Sequence, residues 1–141
     1  MAMETEEMEG ILRAVAHGFE TAPDELRRLR ARWVPHFQNC RLVLDIGCGR
    51  GMLLELLREA GIPAMGIDID AKCVAAAHAK GLRVEHALAE KYLVDKHNTF
   101  DGIFLGHIIE HMTGIEATCL LYHCYRALRP GGVLILLTPN F

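Results

Sequence analysis

The chain has 141 residues, 51% of them hydrophobic and 23% charged, with a formal net charge of −3 at neutral pH. That length and apolar content suit one domain with a genuine core and exclude two ordinary ones. The mildly acidic balance supplies no general positive field, so a nucleic-acid partner is not expected. Five cysteines, odd in number and without a Cys-x-x-Cys pair, read as reduced and mostly buried thiols. No basic leader and no long apolar run opens the chain, so a soluble, cytoplasmic protein without a membrane span is expected.

Residues 3–19 place Met8, Ile11, Leu12, Val15 and Phe19 on one face of a helix. Thr21, with Pro23 in the first turn and Asp24 three positions on, reads as a capping box. It opens a second helix with the apolar stripe Leu26, Leu29, Trp33 and Phe37. The arginines of that helix (Arg27, Arg28, Arg30 and Arg32) read as a solvated face, the alternative being a site for an anionic substrate or a cofactor carboxylate. From Arg41 onward, short apolar runs at 42–46, 64–67, 82–85, 100–105 and 133–137 alternate with helical stretches at 52–60, 71–80 and 115–128. Near-continuous apolar strands separated by helices imply a parallel sheet buried on both faces. The expected fold is therefore a doubly wound, Rossmann-like α/β domain, with helices in residues 1–40 packing on a core of residues 41–141. Such sheets bind ligands beyond the carboxyl ends of their strands, where strand order reverses.

The first strand runs into Asp45-Ile46-Gly47-Cys48-Gly49-Arg50-Gly51 and then a helix. Glycines there permit a sharp turn and a close approach of backbone to ligand, and the helix start offers N–H donors. Asp68 ends the second strand nineteen positions after Gly49, where a carboxylate can accept both hydroxyls of a ribose. Together these features specify an adenosine-type ligand. A dinucleotide loop asks for Gly or Ala where Met52 stands, which weakens the pyrophosphate reading.

Asp45-x-Gly47-x-Gly49-x-Gly51 instead resembles motif I of the class I S-adenosylmethionine-dependent methyltransferases. The resemblance runs from Leu42 to Asn140. Phe100-Asp101-Gly102-Ile103-Phe104-Leu105-Gly106-His107 is similar to motif IV and is followed by Ile109-Glu110-His111. Leu128-Arg129-Pro130-Gly131-Gly132-Val133-Leu134 resembles the family's turn into strand five, and Thr138-Pro139-Asn140 its end. The resemblance implies S-adenosylmethionine as cofactor, held by Asp45, Gly47, Cys48, Gly49, Gly51, Asp68 and Ile69, with Leu88 and Ala89 at the adenine. It also implies methyl transfer to an O, N or C atom of a small molecule or glycan. Two departures stand out. Leu88-Ala89 replaces the family's usual Asp-Ala pair, which loses a carboxylate for the adenine amino group unless Glu90 reaches in. Phe19-Glu20-Thr21-Ala22 stands where the glycan-assembly subgroup often has Phe-Arg-Gly-Ser.

His107 follows strand four directly and is the candidate base or acceptor-positioning group, the alternative being an imidazole that only shapes the pocket. Glu110 and His111, read as the start of the next helix, are expected to position rather than react. The same residues form His-x-x-Glu-His, an inverted zincin motif, and a zinc hydrolase is the competing enzyme reading. With no convincing third ligand downstream, no metal is expected. The family's sheet normally carries an antiparallel strand pair after strand five, so a core ending there is expected to bind cofactor but transfer methyl groups poorly unaided. A non-catalytic cofactor-binding module is the alternative. An exposed fifth strand would favour a homodimer along that edge.

Overall fold

A computed structural model describes residues 23–138. The helix expected at 3–19, Thr21 of the expected capping box, and Pro139-Asn140 lie outside the described residues. In chain order the elements are α1 (Pro23–Ala31), a 3-10 turn (Val34–Phe37), β1 (Val43–Ile46), α2 (Met52–Glu59), β2 (Ala64–Asp68), α3 (Ala71–Ala79), β3 (Val84–His86), α4 (Ala89–Leu93), β4 (Phe100–Gly106), a second 3-10 turn (Ile109–His111), α5 (Gly114–Ala127) and β5 (Leu128–Leu137). The strands form one parallel sheet in the order β3-β2-β1-β4-β5. Strand order reverses between β1 and β4, as the doubly wound reading requires.

Side-chain parity distributes the core over the two faces of the sheet. Leu44, Ile46, Met65, Ile67, Ile103 and Leu105 join Leu93 of α4 and Leu120, Cys124 and Ala127 of α5. On the other face Val43 and Phe104 pack with Leu53 and Leu57 of α2 and Phe37 of the first 3-10 turn. Asp45 shares the parity of Val43 and therefore points toward the side covered by α1 and α2. Phe37 is fully buried, meets Phe104 edge-on and lies on Gly102, where a Cβ would come within 2.5 Å of its ring. Burying a side chain of that size contributes about 2–3 kcal/mol and anchors the segment that carries α1.

Several expected boundaries differ. The second helix does not run through to Phe37: it stops at Ala31 and restarts as the 3-10 turn. Pro35 is the cause, because it lacks an N–H and its ring clashes with the carbonyl four residues earlier, which belongs to Ala31. β5 begins at Leu128 rather than at 133, and its pairing jumps from Phe100↔Leu128 to Gly102↔Val133. The expected Pro-Gly-Gly turn is thus an irregularity inside a longer strand. α4 was not legible at all, being five residues long. Glu110 and His111 do not begin a helix; they form a 3-10 turn, and α5 starts later behind a reciprocal Thr113–Glu116 capping box. All five cysteines are free thiols, but only Cys48 and Cys124 are buried, and Cys119 is exposed. Among the described residues no helix is long and apolar enough to cross a membrane.

Candidate active site

The cofactor and catalytic candidates read from the sequence lie along the carboxyl edge of the sheet. Asp45 is on β1; Gly47, Cys48, Gly49 and Gly51 form the loop into α2; Asp68 ends β2 with Ile69 after it; Leu88 and Ala89 open α4; His107, Glu110 and His111 follow β4.

The glycine loop is held largely by itself. The Gly47 and Cys48 amides both donate to the Ile67 carbonyl, at 2.9 and 3.1 Å, and the Gly51 amide donates to Cys48. The Gly49 amide donates to Asp68 Oδ2 at 2.8 Å, while Asp68 Oδ1 accepts from the Asp70 amide at 2.8 Å. Asp68 therefore fixes the loop and its own turn, with lone pairs left over for two hydroxyl donors. Gly51 has φ +90°, and a Cβ there would run into Leu82, so this glycine serves packing of the loop on α3 and on the connection from α3 to β3. Gly49, at φ +56°, has nothing within 4 Å of where a Cβ would be, which is the open approach a ligand needs. The Cys48 side chain turns inward against Gly66 of β2. Burial, followed by the charges of Asp45 and Asp68, pushes its thiol up to about 12, so it stays protonated and unreactive.

Beyond β1 and β4 three titratable groups converge. Asp45 is only 4% exposed. Burial raises its pKa to about 7, against the lowering pull of Arg30. The Arg30 guanidinium stacks 5.1 Å from the centroid of the Phe104 ring and lies against Gly106, where a Cβ would stand 3.0 Å from Nη1. The bareness of Gly106 is what lets α1 lay an arginine across the end of β4. His107 sits in the left-handed region at φ +57°, donates its amide to Leu137 at 2.9 Å, and has a buried Nδ1 with no hydrogen-bond partner. That atom is 3.7 Å from Glu110 Oε1. Burial, then the charge of Arg30, lowers the pKa of His107 below the usual histidine range, with Glu110 pulling the other way. The strained φ at a site residue is a common signature of function.

Arg30, which the sequence placed in an arginine face read as solvated with an anion site as the alternative, lies instead against Phe104 and Gly106 at the end of β4. A signal was present: it stands four residues after Leu26 and three before Trp33, inside the apolar stripe of its helix rather than opposite it. Arg28 and Arg32 are exposed, and Arg27 pairs with Glu59 of α2. Around the His-x-x-Glu-His segment, His107 Nδ1 and His111 Nε2 approach the same Glu110 oxygen at 3.7 and 3.8 Å, with His111 largely in solvent. Among the described residues no group of three or more His, Cys, Asp or Glu side chains is arranged to hold a metal ion.

Residues 17–141 match the family described as "Methyltransferase domain". The ubiquinone biosynthesis O-methyltransferase of Rhizobium leguminosarum bv. trifolii is 35% identical over 103 residues, a match covering 70% of this chain and 40% of that protein. The protein of the same name from Azoarcus sp. is 31% identical over 126 residues, covering 82% of this chain and 52% of the relative. Among solved structures, a SAM-dependent methyltransferase from Archaeoglobus fulgidus superposes with a TM-score of 0.74 at 32% identity, over 84% of this chain and 52% of that one. The chain thus spans about half, or less, of the length of these relatives.

Proposed function

Because the chain belongs to the class I S-adenosylmethionine-dependent methyltransferases, we propose that the protein transfers a methyl group to an oxygen of a small molecule, with the cofactor lying along the carboxyl edge of the sheet. The observation that carries this reading is the placement of buried Asp45 on β1 and of Arg30 across the end of the neighbouring β4, at the strand-order reversal and one strand away from Asp68. A buried carboxylate held up near 7 gains from an ammonium partner, and a desolvated guanidinium gains from a carboxylate. The amino-acid end of S-adenosylmethionine offers one of each, and its ribose offers two donors for Asp68. Ile69, Leu88 and Ala89 then flank the base, and Gly47, Cys48, Gly49 and Gly51 back the chain between.

S-adenosylmethionine supplies, when bound, an electrophilic methyl on a sulfonium. The protein has to hold an acceptor in line and take its proton. His107 suits that role, because a proton on Nδ1 turned toward Glu110 leaves the Nε2 lone pair free, and the lowered pKa keeps the ring neutral at physiological pH. His111 and Glu110 hold the loop. The names of the relatives support a hydroxyl on a small molecule as acceptor over the nitrogen, carbon and glycan acceptors that the motifs leave open.

Calorimetry with S-adenosylhomocysteine tests the site: one-to-one binding is expected, weakened about tenfold or more by Arg30→Met, which keeps the packing on Phe104 while removing a charged hydrogen bond. Unchanged affinity in that variant would remove Arg30 from the site. A labelled-methyl screen over phenols, catechols, small amines and glycans then identifies the acceptor class, and binding without turnover on any class would favour a non-catalytic module. We also propose that two copies pair along β5, supported by Val133, Leu134 and Leu136, which are exposed on this edge strand. Sedimentation should show concentration-dependent dimers; a strict monomer refutes the pairing. The free thiols of all five cysteines support residence in the cytoplasm.

A further inference from the structure

The glycine loop leaves β1 and the loop of His107 leaves β4, and the structure brings the two into contact through one side chain. Gly47, the first residue past β1, has φ +71°, and a Cβ there would come within 2.6 Å of Ile108 Cδ1 and 3.3 Å of its Cγ1. Ile108 follows His107 directly, so the side chain next to the imidazole fills the space that the first glycine of the loop leaves open. Each loop is anchored away from the other: the Gly47 and Cys48 amides donate to Ile67 on β2, whereas the His107 amide donates to Leu137 on β5. Ile108 spans that gap. Its side chain packs on the core shared by β1, β4, α4 and α5, and its carbonyl accepts from the His111 amide at 3.2 Å, across the turn that carries Glu110. An isoleucine suits a spacer of fixed length, because branching at Cβ leaves little freedom at χ1.

Resting on the reading of His107 as the base, we propose that Ile108 is a positioning residue: seated on Gly47, it sets the separation between the glycine loop, which backs the methyl donor, and the imidazole that takes the acceptor's proton. An error of about 1 Å in such a separation costs a factor on the order of a hundred in rate. Gly47 is therefore bare for the loop of the base as well as for its own left-handed turn.

A double-mutant cycle reads the contact. Gly47→Ala puts a methyl in the path of Ile108, and Ile108→Ala removes the atoms it would strike; the strain of an alanine at φ +71° is common to both backgrounds and cancels. Urea unfolding should show Gly47→Ala costing less in the Ile108→Ala background than in the parent, and additive costs overturn the contact. Positioning is read at the His107 ring, on which burial and the charges of Arg30, Glu110 and His111 act to hold the pKa below 6.5. An NMR titration of that ring, assigned with His107→Gln, should shift up toward 6.5 in Ile108→Ala as the loop loosens and water reaches it. Ile108→Val, which gives up only Cδ1, should fall between, and a midpoint unmoved in both variants overturns the proposal. S-adenosylhomocysteine should bind Ile108→Ala within about threefold of the parent by calorimetry. On an acceptor found by the labelled-methyl screen, kcat should drop about tenfold or more in Ile108→Ala and less in Ile108→Val. A loss of cofactor affinity with kcat retained overturns the positioning role. If His107→Ala keeps full turnover, the reading of the base fails and takes this inference with it; additive costs or an unmoved titration, with His107→Ala inactive, defeat the inference alone.

Discussion

Replacing Asp45 with asparagine separates the contribution of this carboxylate to ligand binding from its cost to the fold. Unfolded, Asp45 titrates near the ordinary 3.8; in the native protein burial holds it at about 7. Between those values the native state keeps a proton that the unfolded chain has released, so stability falls as pH rises, and the loss is complete above about 7. At ~1.4 kcal/mol per pH unit, the span from 3.8 to about 7 corresponds to about 4 kcal/mol. The amide of Asp45→Asn cannot titrate. Below about 7 the parent's Asp45 is itself protonated, so Arg30 faces a neutral group in both proteins, and the pull of Arg30 on the ionised carboxylate is already contained in the value of about 7. Urea unfolding of parent and variant from about pH 5 to about pH 8 should therefore show the variant gaining on the parent by roughly 3 kcal/mol. At about pH 8 S-adenosylhomocysteine should bind the variant about tenfold or more weakly than the parent, because the partner for its ammonium has lost its charge, and that gap should close toward about pH 5. In the parent, affinity should fall as pH drops below about 7, when Asp45 takes up its proton. A stability difference that does not change with pH would refute the reasoning, since it would mean that Asp45 is ionised at no cost.

Asp68→Ala should weaken S-adenosylhomocysteine binding about ten- to a hundredfold by calorimetry, the loss of ribose hydrogen bonds to a charged acceptor worth about 1.5–3 kcal/mol. Some of that loss will come through the freed Gly49 amide, and an unchanged affinity would remove Asp68 from the site. His107→Ala should lower kcat about a hundredfold or more with cofactor affinity retained. In the parent, turnover should rise with pH and reach its plateau earlier than an ordinary histidine of pKa 6.5 would allow; a plateau displaced to higher pH contradicts the base assignment. Metal analysis of protein purified without a histidine tag should find no stoichiometric zinc. One zinc per chain, lost in both His107→Ala and His111→Ala, would restore the hydrolase reading.

The sequence by itself determined the features that short-range physics decides. Alternating apolar runs and helical periods set a parallel sheet, because each run is too apolar to face water. The glycines at 47, 49 and 51 and the aspartates at 45 and 68 marked the ligand edge, because a chain turning sharply from strand to helix exposes the residues just past each strand. Pro35 could also have been read locally as the end of α1. The tertiary structure decided which side chains meet. Four arginines on one helix look alike in the sequence; α1 lies on the sheet so that only Arg30 reaches a glycine without a Cβ, a Phe104 face and the parity side of Asp45. His107 and His111 look like a matched pair, yet His107, in its left-handed turn, is half-buried with its Nδ1 covered, and His111 stands in solvent. Burial and partner charges depend on elements far apart in sequence, so the raised carboxylate at Asp45 and the lowered imidazole at His107 could be assigned only once the sheet and α1 were in place.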